Sequence, residues 1–355
     1  MVLLEGPHVP LRVQLPLFVA LLLWHAAAAA QEVCSPDCTH PTKACICAID
    51  ARNVFVTPIG GIDRQPAQIR RALGPGDEIA GLDENGIVAL TCPGSSDVKL
   101  HGRFRAVIMP PAQGQDCALN LLAGAVDVLT STPTQVSSGE TLMGSKRTMY
   151  SMRVAPDATV ECAVIDGEVA VQNLKTGATR PLGANAKASW RGGQLIQFGA
   201  PLAPVDMTQT MRIYTRGDIA RARAQGVIFD DPDSFQRALQ SRYAAVLATP
   251  ADPATHIDLA ALQTIAGISM PALHHLEQAE RLNPARADLR AALLATRTVA
   301  YRQVGRGKEA AAEAEKLRVL DPARYAAVQR ADPKVQRVTR GAYEPAVPSA
   351  PAAPR

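Results

Sequence analysis

Two periods of hydrophobic and polar positions divide the chain. From Gly76 to about Phe198 apolar residues alternate with polar ones, the period of strands with one buried face. From Met207 onward the apolar spacing becomes helical, and helices are predicted over 207–225, 232–248, 256–268, 271–283, 286–304 and 308–320. At the centre of the β region a short phrase occurs twice, as Leu121–Val128 and again as Val164–Val171. Alternation sets Val126 with Val128, and Val169 with Val171, on single strand faces. Gly124 and Gly167 mark the points where strands meet closely or the chain turns with positive φ. Both copies therefore read as one β unit used twice.

Turn residues punctuate the earlier β segments, 76–79, 86–92, 98–100 and 104–109. Asn85-Gly86 has the sequence of a type I′ hairpin turn, and a short polar helix is expected over 65–72. Pro201 and Pro204 read as a linker, so the helical region is expected to separate from the β region there. Asp233 and Asp252 stand where a carboxylate caps a helix start. Val88, Leu90 and Cys92 share one face, and Cys117, Leu119 and Leu121 another. Cys92 and Cys117 are the pair expected to bond, with Cys162 left as a buried thiol.

Several stretches resemble a FecR-type domain: Leu73–Ile79 its opening, Leu142-Met143-Gly144-Ser145 with Tyr150–Val154 its central strand pair, Val160–Val171, with the hallmark Val164–Val171, its most recognisable stretch and Leu182–Asn185 its close. The resemblance covers about 75–198. It implies an all-β domain, solenoid-like or sandwich, of the bacterial envelope that works by protein contact, with Gly144 a structural glycine beside Gly124 and Gly167. Signalling members of that family carry a cytoplasmic anti-sigma segment and one membrane span before the domain. With 11 residues ahead of Arg12, a sigma-factor regulator of that plan is not expected.

The helical region is similar to tetratricopeptide repeats. Leu276–Pro284 and Ala314–Pro322 match at their helix ends, and Ala272, Ala279, Leu294, Tyr301, Gly305 and Ala310 fit the pattern. Thr298 and Leu317 stand where that pattern places small residues. The expected fold is thus multidomain β plus α: a FecR-like solenoid or sandwich over 73–200, a TPR-like region over 207–340 and a Pro/Ala-rich tail over 341–355.

Arg12, the apolar run Leu15–Trp24 and Ala26–Ala30 make residues 1–30 a secretory signal peptide, which predicts a periplasmic chain with no membrane span after cleavage. Export changes how the seven cysteines are read. In the Cys-rich segment 31–72, Cys34, Cys38, Cys45 and Cys47 are expected to be disulfide staples, since few large apolar side chains are there to order it. The alternative is a metal-handling protein using the Cys34–Cys47 cluster with His40.

Charge adds little. The net charge of +4 comes from 37 Lys/Arg against 33 Asp/Glu, and aromatics are scarce at 4%, which argues against a nucleic-acid surface. No nucleophile elbow or phosphate-cradling loop occurs, and His274-His275 read as helix-surface residues. Met143, Met149 and Met152 read as core. No enzyme, cofactor or metal is expected. The anticipated partner is another envelope protein, met by Lys146, Arg147 and Arg153.

Overall fold

The computed structural model describes residues 43–93, 96–330 and 337–343. Cys34, Cys38, His40, the signal segment and residues 344–355 lie outside the described residues.

Among the described residues, sixteen strands join in one sheet. Six precede the long central pair: β1 (Ala44–Asp50), β2 (Val54–Thr57), β3 (Gln65–Pro66), β4 (Ala72–Leu73), β5 (Glu78–Gly81) and β6 (Ile87–Cys92). Next come β7 (Ser96–Ile108) and β8 (Cys117–Thr130), then β9 (Thr134–Ser138), β10 (Thr141–Ser145) and β11 (Thr148–Val154). The set ends with β12 (Thr159–Asp166), β13 (Glu168–Asn173), β14 (Thr179–Gly183), β15 (Ala186–Arg191) and β16 (Gln194–Pro201). Seven helices follow: α1 (Pro204–Ala224), α2 (Pro232–Ala248), α3 (Pro253–Ile265), α4 (Ser269–Arg281), α5 (Ala287–Gln303), α6 (Gly307–Leu320) and α7 (Pro322–Arg330). The protein is β plus α.

The doubled phrase has a physical meaning, though not that of two equal units. β8 runs through Gly124 without a break: its first residues pair with β9 and its last with β11. In the second copy the chain breaks at Gly167, leaving β12 beside β11 and β15 and starting β13 beside β10 and β14. Each glycine is therefore where the chain crosses between two wings of the sheet. Gly124 has φ +90°, and a Cβ there would lie 2.4 Å from the Arg103 carbonyl; Gly167 has φ +80° and 2.8 Å to the Arg147 carbonyl. Gly144 differs, with no positive φ and Ala170 O no nearer than 4.0 Å.

Between the wings lies one apolar core, to which β8 and β11 bring Val126, Val128, Tyr150 and Met152, and β10 and β13 bring Met143, Val169 and Val171. The Cys92–Cys117 disulfide joins the end of β6 to the start of β8, inside this core.

Three local expectations need correction. Residues 65–72 form β3, a turn and the start of β4, because Gln65-Pro66 pair with β2, Ala72-Leu73 pair with β1, and Arg70 between them takes φ 71°, which no helix allows. At Asn85-Gly86 the turn closes with Gly86 N donating to Asp83 O at 3.2 Å, and neither residue has positive φ. The strands it joins pair with β7 rather than with each other, so no hairpin twist is demanded. No linker separates sheet and helices either: Pro201 ends β16, and Pro204 opens α1 in the first turn, where its missing N–H costs nothing.

A second core joins sheet and helices. Leu129, Met149 and Ile165 leave the outer face of the sheet to meet Tyr214, Ile219, Ala222, Phe235 and Leu239 from α1 and α2. Val338 and Tyr343 return to the same core, with β17 (Ile228–Phe229) pairing in parallel with β18 (Arg337–Val338). Residues 341–343, expected in the tail, thus belong to the fold. The α2 cap is Asp231, which accepts from Ser234 N, with Asp233 in the first turn; Asp252 caps α3.

Candidate functional site

The same alternation that builds the first core aims a polar set out of the other face. Strand register lines up Lys99, Asp127, Ser151, Ala163 and Lys187 in one row. His101, Ala125, Arg153, Glu161 and Ser189 form the next. On a face turned to water this pattern would be unremarkable, but α1 lies against β1, β6, β7 and β8 and covers a portion of it.

Burial under α1 forces the charges to pair. Lys99, 0% exposed, lies 2.9 Å from Asp218 Oδ1 and 3.4 Å from Asp97 Oδ2, with its ammonium 3.6 Å from the centre of the Tyr214 ring. Arg221, one helical turn after Asp218, pairs with Asp97. Burial alone would push the Asp97 carboxyl up; Arg221 and Lys99 outweigh it and hold the group below the usual carboxylate range. Tyr243 of α2 donates to Asp218 Oδ2 at 2.8 Å and accepts from Gln263 of α3 at 2.7 Å, carrying the network across three helices. Gly217 lets α1 approach, since a Cβ there would sit 2.8 Å from the Lys99 stem.

Beside the network lies a cavity of about 190 Å³, with His101, Asp127, Ser151 and Thr210 among its walls. These residue types invite comparison with a hydrolytic triad, but the wiring differs. Nucleophile activation needs the hydroxyl to face the imidazole. Here Ser151 donates to Asp127, and His101 Nε2 approaches that same carboxylate at 3.6 Å. The arrangement holds a carboxylate rather than activating a serine.

The residues expected to meet a partner are not brought together. Lys146 and Arg147 are exposed in the turn between β10 and β11, where the Arg147 charge acts on His274, Glu277 and Arg281 of α4. Arg153, also exposed, stands at the far end of β11 on the cavity wall, roughly 20 Å along the strand by ordinary strand rise. Cys45 is disulfide-bonded, and Cys47 instead directs its thiol to Thr91 Oγ1 at 2.8 Å. Cys162 is a buried thiol, pushed up by desolvation. Met143, Met149 and Met152 are buried. Among the described residues no group of three His, Cys, Asp or Glu could hold a metal ion.

His274 and His275 are not on the helix surface, as expected, but buried with His256, whose Nδ1 lies 3.4 Å from His275 Nδ1. Desolvation first, then the charges of Arg281 and His256, pulls His274 down to about 3; His275 falls well below its ordinary value for the same leading reason. All three imidazoles sit where α3 and α4 pack, so apolar burial of these helices carries the histidines inside.

No protein-family model matches the chain, and no curated protein does. Two crystal structures of a protein described as a candidate anti-sigma factor from Parabacteroides distasonis are similar to a portion of it. Identity is 12% with TM-scores of 0.32 and 0.31, and each match covers 37% of this chain. The chain spans 63% of that protein's length. Likeness at this level carries no argument about fold or activity. Among the described residues no helix is long and apolar enough to cross a membrane.

Proposed function

We propose that this chain is a non-catalytic, exported envelope protein that acts by protein contact, through a FecR-like β region and TPR-like stacked helix pairs. The observation that carries the reading is the order in which the helices pack. α5 touches α4 and α6 through one side chain, Arg297, which pairs with Glu280 at 2.6 Å and Glu313 at 2.6 Å. It also reaches past them, with Gln303 donating to Thr264 O of α3 at 3.1 Å and Arg302 to Val328 O of α7 at 2.9 Å. Contact with the next helix and the next but one is the habit of stacked hairpins, whose repeated faces serve to hold other proteins. The Cys92–Cys117 disulfide supports folding in an oxidising compartment, in keeping with periplasmic export.

Envelope signalling is the process this reading favours, with Lys146 and Arg147 as the cationic contact for an acidic partner. Photo-crosslinking in cells, with the probe on the exposed faces of α5 and α6, tests it. A discrete protein adduct that weakens in Lys146→Glu/Arg147→Glu supports the reading. Adducts unchanged by the charge reversal would remove those residues from it, and none at any helix position would overturn it.

A further inference from the structure

The polar face holds one more buried anion than cation. Asp97, Asp127 and Asp218 are all about 98% or more buried, while the buried cations there are Lys99 and Arg221. Those two are taken by Asp97 and Asp218. Asp127 has Ser151 on one oxygen; its other oxygen, Oδ2, has no hydrogen-bond partner among the described residues, and neither does the Nε2 of His101 at 3.6 Å. Both residues line the cavity of about 190 Å³, and its room comes from the sequence: Ala125 and Ala163 occupy face positions that longer side chains would fill.

We infer that this cavity binds a small primary ammonium compound, its nitrogen on Asp127 Oδ2. An ammonium brings three donors and no acceptor. The cavity wall offers acceptors in return: Asp127 Oδ2, the Ser151 oxygen and, in the tautomer that carries its proton on Nδ1, His101 Nε2. A bare metal cation fits less well, since hard cations call for six or more oxygens and among the described residues no ligating cluster is found. An anion would add to the excess negative charge. Rim charges oppose each other, Lys187 with Asp206 at 3.5 Å and Arg153 beside Glu161, so the buried Asp127 decides the sign.

The test is calorimetric titration of the full chain with ethylammonium chloride, using potassium chloride and sodium acetate at equal ionic strength as controls. Binding of ethylammonium but of neither control is expected, weakened about tenfold or more in Asp127→Asn. Should Asp127→Asn fail to fold, Ala163→Leu fills the cavity without touching a charge and is expected to abolish binding. No binding, or binding unchanged by either variant, would overturn the inference.

Discussion

Replacing Lys99 by Met keeps the length of the stem and removes the charge at the centre of the sheet–helix network. Lys99 is 0% exposed and faces Asp218 at 2.9 Å and Asp97 at 3.4 Å. Without it, two buried carboxylates share the Arg221 guanidinium, and removing one partner of a buried ionic set costs about 3–5 kcal/mol. The Tyr214 ring also loses a cation 3.6 Å from its centre, and a desolvated contact of that kind contributes about 2 kcal/mol. These terms overlap, so about 4 kcal/mol is expected, or a melting point lower by about 8–16 °C for a domain of a few hundred residues. Urea unfolding near neutral pH measures the loss, and Lys99→Met/Asp218→Asn should recover at least half of it. Within the single variant one carboxyl is then forced above its unfolded value, so the deficit shrinks as pH falls. A single variant within about 1 kcal/mol of the parent would refute the reasoning, since an ammonium that mattered so little could not be pairing two buried anions.

Three further outcomes are expected. Gly124→Ala and Gly167→Ala each cost about 2 kcal/mol or more in denaturant melts, from left-handed φ and the carbonyl contacts, while Gly144→Ala stays within about 1 kcal/mol. Removing the Cys92–Cys117 disulfide, whose cysteines are 25 residues apart, in Cys92→Ala/Cys117→Ala lowers stability by about 3–4 kcal/mol, read as a shift in melting from the parent chain. His274 is depressed from 6.5 to about 3, so its stabilisation is complete above the unfolded value and is lost as pH falls from 6.5 toward 3. That amounts to about 1.4 kcal/mol for each pH unit, and His274→Asn should flatten the acid limb of the stability profile.

The features of the fold set by local pattern were legible. Helix positions agree to within a few residues because period and proline starts act locally, as at Pro232 and Pro253. The glycines of the doubled phrase pointed to close approach, and Gly124 and Gly167 have it. What escaped was decided between distant elements. Asp97, Lys99, His101 and Asp127 alternate with valines and leucines just as a solvated face does, and only the arrival of α1 over 100 residues later turns that face inward. A signal was present: Gly217 interrupts a helical pattern, where glycine costs about 1 kcal/mol, and is followed by Asp218 and Arg221 one turn apart. A helix that gives up a side chain beside a charged pair is making room for something. The histidines misled for a similar reason, since two adjacent residues on an isolated helix cannot both be buried unless neighbours cover more than one face, as α3 and α5 do for α4.

Buried charges and the second core make sheet and helices one body. The measurement that bears on it most directly is equilibrium unfolding in urea, followed at once by Trp190 fluorescence for the sheet and by far-ultraviolet circular dichroism for the helices. Trp190 lies in β15, within the first core. One transition is expected, with both probes at the same midpoint and moving together in Lys99→Met. Helices that melt apart from the sheet in the parent chain would contradict it.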